Sequence, residues 1–250
     1  MVSKAQSRMG SSRSIDYILS DKELGRAKEL DRNGIVGSNG KEILNEFRFV
    51  QKSNKRCVNN VISLIISPSP EDGRKLTQIQ LKEILLKQLK HLKLENHQYI
   101  STVHYSTSKP HIHAIINRID TSKGKALDDS WISKKAQSGA ELIAREMNLR
   151  TASQVQKEEK VKKVTIKEKV YEAIRSHKAR NWDQYVSALH QAGFAVEVIS
   201  SKVTNKINGY TIDGIKASDI HRSLTMSKIE NTLRGLFPER VKEQTRGYHR

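Results

Sequence analysis

Three of the nine histidines in this 250-residue chain fall within ten positions, as His104-x6-His111-x-His113. A β-prone run, Gln98-Tyr99-Ile100-Ser101-Thr102-Val103, leads into them, and Ala114-Ile115-Ile116 leads away. Between lies Ser106-Thr107-Ser108-Lys109-Pro110, which is turn chemistry. The expectation is a hairpin, with His104 closing its first strand and His111 and His113 opening its second. Side chains two apart on a strand share a face, so His111 and His113 are neighbours and an antiparallel return brings His104 to them. Three neutral imidazoles converging on a point can hold a divalent ion and leave positions open for water or substrate. The bland alternative is histidines that merely titrate on a surface; the third ring and the hairpin weigh against it. Asn117 has the same parity as His111 and His113 and is a candidate to orient a ligand or substrate, or is a strand-end residue.

An ion held by neutral ligands keeps its full charge, which suits it to stabilising a phosphodiester under attack. The bulk charge agrees: 45 basic against 27 acidic residues give a net +18, favouring a polyanionic partner, either nucleic acid or an acidic membrane surface. No apolar run approaches the roughly eighteen residues of a membrane span, and no signal peptide is seen, so membrane insertion is not expected. Cys57 is the single cysteine, which excludes an intrachain disulfide and suits a reducing compartment. An aromatic content of 5% argues against exposed ring stacking as the main binding mode. No acid lies between His104 and Ile119, which argues against a carboxylate-rich two-metal nuclease site. The nucleophile is then water or a side chain. A tyrosine phenol is suitable, because the ester it forms keeps the bond energy for rejoining. Among seven tyrosines, Tyr105 points away from His104 on a strand, and Tyr17 sits on a distant helix edge; spacing does not choose between them.

The elements that must position these groups are legible in part. Residues 1–10 are polar and basic with no period. Ser11 or Ser12 can cap a helix carrying Ile15, Ile18 and Leu19 on one side, with Tyr17 at its edge. Residues 20–41, with four glycines, suggest a loop. Residues 42–51 suggest a short helix with Ile43, Phe47 and Val50 inward. Residues 58–67 are apolar on both faces, as in a covered interior strand ended by Pro68 and Pro70. Residues 77–94 predict an amphipathic helix with Ile79, Leu81, Ile84, Leu85, Leu89 and Leu92 at helical spacing. Residues 130–149 predict another, capped by Asp129 or Ser130. The fold class is therefore α+β: a central, mostly antiparallel sheet with helices on one face, spanning 1–153. Residues 154–169 suggest a charged linker or an exposed helix start. Residues 170–250 suggest a small C-terminal α+β module with a basic tail, built from helices at 164–177, 182–192, 217–224 and 227–236 and strands at 194–199 and 209–212. The Trp182, Tyr185, Val186 and Leu189 stripe is expected to be core.

The run V-H-Y-S-T-S-K-P-H-I-H-A-I-I-N-R resembles the metal motif of the conjugative and mobilisation relaxases, which belong to the HUH (His-hydrophobe-His) endonucleases. Within them it is most similar to the group that includes plasmid mobilisation and T-DNA border-nicking relaxases. G-S-S-R-S-I-D-Y-I-L resembles the helix carrying that group's nucleophile, and V-I-S-L-I-I-S-P-S-P the strand before the motif. I-N-G-Y-T-I-D-G-I-K-A-S-D-I-H-R-S-L resembles a module that often follows the catalytic domain. The resemblance implies Tyr17 as nucleophile and His104, His111 and His113 as ligands of Mg2+ or Mn2+, with Zn2+ as the alternative ion. It implies an origin-of-transfer substrate, single-stranded or in a hairpin, nicked to a 5′-phosphotyrosyl strand and a free 3′-OH and later religated. It also implies accessory relaxosome proteins, a secretion coupling protein, and a bacterial cytoplasmic location from which the protein travels with its DNA. Many relatives have an acid where this chain has Ser106; Asp16, beside Tyr17, or Asp120 would have to substitute. Lys4, Arg8, Arg13, Lys109 and Arg118 are the nearby cations for phosphates, with Lys109 and Arg118 favoured because they flank the histidines. Two alternatives are a rolling-circle replication initiator, disfavoured by a tyrosine preceding the histidines, and a basic DNA-binding accessory protein without cleavage.

Overall fold

Two apolar runs, at 61–67 and 111–117, become two of the three inner strands of a five-stranded sheet. The computed structural model describes residues 1–20, 26–105, 110–200 and 207–236, and divides the chain into Met1–Val155 and Gln156–Arg250. The first unit runs β1 (Val2–Arg8), α1 (Ser12–Leu19), β2 (Ala27–Asn33), α2 (Gly40–Gln51), β3 (Val61–Ser67), α3 (Pro70–Gly73), α4 (Gln78–His91), β4 (Tyr99–His104), β5 (His111–Asn117) and α5 (Ile132–Glu146). The strand order is β1-β3-β5-β4-β2, and every pair is antiparallel.

Helices lie on both faces of this sheet, not on one. Leu64, Ile66, Ile112, Ala114 and Ile116 pack with Leu81, Ile84, Leu85 and Leu89 of α4 and with Ala136, Ala140 and Ile143 of α5. On the other face Val61, Ile100 and Ile115 pack with Ile15 and Ile18 of α1 and with Ile43, Leu44 and Phe47 of α2. A strand apolar on both sides requires both layers, which is why β3 and β5 sit in the middle.

Both outer strands occupy stretches whose sequence suggests no strand. In β1 the inward residues are Ser3 and Ala5, too small to create an apolar period. In β2, within the expected loop, a bulge between Glu29 and Asp31 breaks the alternation, and the charges are used locally: Glu29 pairs with Arg32, and Asp31 accepts from Tyr99 Oη at 2.7 Å. Charged, bulged edges are a common defence against edge-to-edge pairing, and they hide the strand from a periodicity reading. Three smaller corrections follow. β3 starts at Val61 and leaves Val58 exposed; Ile79 is 82% exposed on the outer side of α4; and α5 has no side-chain cap. The Asp129 carboxylate is engaged by Arg118 at 2.7 Å instead, and Trp131 enters the helix from a left-handed conformation at φ 59°.

Residues 154–169 lie within one helix, α6 (Ala152–Ser176). Then follow α7 (Trp182–Gln191), β6 (Val196–Ser200), β7 (Ile207–Ile212), β8 (Ile215–Lys216), α8 (Ala217–Ile220), a 3-10 turn (Arg222–Leu224) and α9 (Met226–Leu236). β6, β7 and β8 form a small antiparallel sheet, with Asp213 and Gly214 both at positive φ in the tight turn between β7 and β8. Ile166, Val170, Ile174, Tyr185, Leu189 and Leu233 are among the residues of its separate core. The Trp182 stripe belongs to that core: Tyr185 Oη meets Tyr210 Oη at 2.8 Å, and Tyr210 donates to the Leu224 carbonyl. The last dozen residues of the expected basic tail lie outside the described residues. Among the described residues, no helix is long and apolar enough to cross a membrane.

Candidate active site

His104 of β4 stands directly opposite His111 of β5, and Thr102 opposite His113. That register puts the three rings together on the face that carries α1. Ring centroids are 4.7 Å apart for His104–His113 and for His111–His113, and 5.7 Å for His104–His111. One nitrogen from each ring lies within 4.8 Å of the others.

The protonation pattern suits a metal. His104 Nε2 lies 2.9 Å from the Ile18 carbonyl, which can only accept, so Nε2 carries a hydrogen and Nδ1 is the nitrogen left to ligate. Metal-binding histidines are commonly oriented through such a bond on the second ring nitrogen. His113 Nε2 is buried with no hydrogen-bond partner. Burial, and secondarily the neighbouring His111 and His104, push His113 down to about 4, so its imidazole is neutral near pH 7, the form that ligates. A buried nitrogen without a partner is costly, and an ion would supply what it lacks. At about 2.1 Å per bond and tetrahedral angles, two nitrogens on one ion are about 3.4 Å apart, so nitrogens as far apart as 4.8 Å close by about 1.4 Å to share it. The residues present fit a divalent ion.

Helix α1 brings the phenol. Ser11 caps it by accepting from the Ser14 amide, and buried Ile15 and Ile18 hold it on the sheet. Tyr17 then falls on its open flank, 63% exposed, with its ring 6.2 Å from both the His104 and the His113 ring. Asp16 points elsewhere, accepting from the Gly40 amide at 2.7 Å and tying α1 to the start of α2. Adjacent helix residues diverge by about 100°, and Asp16 is used as a strut.

The remaining predicted residues divide between the two ends of the sheet. Arg13 is exposed one turn before Tyr17 on the same side of α1. Lys4 is exposed in the cross-strand row Lys4–Ile65–His113, two strands or about 10 Å from that histidine. Arg8 pairs at Val61, level with Asn117, and its guanidinium bonds Gln6. Asn117 shares a face with His113 but lies about 13 Å further along the strand. There it is fully buried among Gln51, Gln98, the Phe47 carbonyl and the Ile119 amide. Arg118 lies beyond it, held by the Leu127 and Asn59 carbonyls and by Asp129. Adjacency in sequence placed Arg118 beside the histidines; an extended strand carries it to the opposite end of the sheet. Asp120 closes the following turn by accepting from Ser122 and Lys123, and those bonds lower its pKa. Lys109 and Ser106 lie outside the described residues.

Three contributors escaped the sequence reading. The Ile18 carbonyl and Gly40 act through main chain and have no side-chain signature. Thr102, fully buried opposite His113 with an unpartnered Oγ1, shares a face with His104 by parity and was within reach of that argument.

A family model described as relaxase, MobA/VirD2-like, nuclease domain, matches residues 17–149. Among curated proteins, none matches the chain.

Proposed function

The chain belongs to the MobA/VirD2-like relaxases of the HUH superfamily, DNA-nicking enzymes that depend on a metal, and from that premise we propose that Tyr17 nicks one strand of an origin-of-transfer DNA by transesterification. The observation that carries this reading is the exposed Tyr17 ring standing 6.2 Å from two of the three clustered imidazoles.

The Tyr17 oxygen attacks the scissile phosphorus as it loses its proton. The bond from phosphorus to the 3′ oxygen breaks, and that oxygen leaves as a hydroxyl after taking up a proton. The product is a 5′-phosphotyrosyl strand and a free 3′-OH. One phosphodiester is exchanged for another, so the reverse attack reseals the strand without an outside energy source. His104, His111 and His113 would hold the divalent ion, Mg2+ or Mn2+ with Zn2+ as the alternative, which would supply positive charge to stabilise the phosphoryl group under attack. Arg13 and Lys4 are the described cations that flank the phenol and the rings, and they hold neighbouring phosphates. The substrate is single-stranded or an extruded hairpin, and the family supplies the setting: plasmid or mobile-element transfer with relaxosome partners and a coupling protein.

The test is incubation with labelled single-stranded oligonucleotides tiling the origin region of the encoding element, with Mg2+ or Mn2+. A covalent protein–DNA adduct is expected, prevented by EDTA and abolished in Tyr17→Phe. His113→Ala should cut adduct formation by about 100-fold, the scale on which an essential charge-stabilising group acts, while charge-driven DNA binding persists. An adduct from Tyr17→Phe would displace the nucleophile assignment. No adduct on any fragment would favour the non-cleaving accessory reading.

A further inference from the structure

The second unit carries its own string of cations. Along α6, Lys160, Lys163, Lys167, Tyr171 and Arg175 follow one another at helical three- and four-residue steps, so they share a face. That face forms one wall of a groove of about 490 Å³ whose other wall includes Ile220 and His221. A continuation of about 460 Å³ shares Lys167, Glu168 and His221 and reaches Tyr171, Arg175 and Ser223. From Lys160 to Arg175 the strip runs about 22 Å at 1.5 Å per residue.

The chemistry of the walls points to an anion. Lys163 and Lys167 are half-buried one turn apart in a groove that Val164 and Ile220 also line, an arrangement in which like charges repel. Among the described residues, Lys160, Lys163, Lys167 and Arg175 form no ion pair, although Glu159 and Glu168 line the same groove. His221 Nδ1 accepts from the Ser223 amide, so its Nε2 carries the hydrogen and the ring adds a donor to the groove. Four cations spaced over such a length, unpaired among the described residues, match a chain of regularly spaced charges better than one small anion.

We propose that this groove binds the phosphate backbone of DNA, giving the second unit a contact of its own separate from the nicking centre. The proposal rests on the relaxase reading only in choosing DNA as the polyanion.

The test uses the full chain and two charge-matched double variants. Lys163→Gln/Lys167→Gln changes the groove, and Lys157→Gln/Lys169→Gln removes two lysines of the same helix that do not line it. Fluorescence anisotropy is measured against salt with a duplex and a single strand of about 30 nucleotides, neither containing a nick site. The groove pair is expected to lose roughly tenfold in affinity near 0.1 M salt. Its salt slope should fall by about 1.8 on duplex, or about 1.4 on single strand, whichever form the groove takes; the control pair should change clearly less. Equal losses from both pairs, or an unchanged affinity for both DNA forms, overturns the proposal. Loss confined to a poly-glutamate probe assigns the groove to an acidic polypeptide and also overturns it. Adduct formation on a short nick-site oligonucleotide should be unchanged in the groove variant. Absence of any adduct would fault the Tyr17 reading and leave the groove result to stand or fall alone.

Discussion

Burial, more than its histidine neighbours, keeps His113 from taking a proton, and this has a measurable consequence. Its folded value of about 4 lies below the ordinary 6.5. As pH falls through 6.5 the unfolded chain binds a proton that the folded chain refuses, so stability from this group declines. The decline levels off below about 4, where both states are protonated. For metal-free protein, the melting temperature is expected to fall between those values, and His113→Asn should flatten part of the fall. An identical pH profile for the variant would show that the ring is not held neutral by its surroundings. The same burial that makes His113 unstable in acid keeps it in the ligating form near neutral pH.

At the scale of elements, the position of α1 decides whether Tyr17 faces the rings. Two bonds fix that helix from opposite directions: Ile18 carbonyl to His104, and Asp16 to the Gly40 amide. Gly40 is the point of closest approach. A Cβ there would stand 2.3 Å from the Ser12 carbonyl oxygen and 2.6 Å from the Asp16 carboxylate, so one of the two helices must yield. Gly40→Ala is expected to destabilise the protein by about 1–3 kcal/mol, the usual scale of overpacking. It should slow adduct formation by more than it weakens Mn2+ binding, because α2 packs on the hairpin at Ile100, Ile115 and Asn117 and not on the three rings. Calorimetry and a single-turnover adduct assay measure the two effects. Equal losses in both would mean that α1 does not set the phenol independently of the rings.

Across the whole molecule, burial falls into separate sets. The clusters around the five-stranded sheet lie within the first unit, and that around α6, α7 and the small sheet lies within the second, with no buried residue in common. Leu189→Ala, in the second core, should cost about 2–5 kcal/mol locally. It is expected to lower one of two calorimetric transitions and to leave the adduct rate on a short oligonucleotide unchanged. A single transition moving as one would refute that division. The net charge of +18 is spread through both units: residues 156–250 hold 19 lysines and arginines against 11 acids, so attraction for a polyanion is not confined to the first unit.

What the sequence determined by itself was local. The His104–His113 hairpin needs only alternation and a turn, α4 needs only helical spacing, and both are properties of neighbouring residues. The polyanionic partner followed from a sum of charges. Edge strands β1 and β2 were illegible because their inward residues are small or their charges are used locally. How far Asn117 and Arg118 stand from the rings was not legible, since parity gives the face of a strand but not the distance along it. The meeting of phenol and imidazoles was decided only in three dimensions. Ile18 and His104 lie 86 residues apart, and nothing in either segment encodes the other. The order β1-β3-β5-β4-β2 and the packing of α1 on the sheet bring them together, because a non-local contact exists only once the layers between its partners have formed.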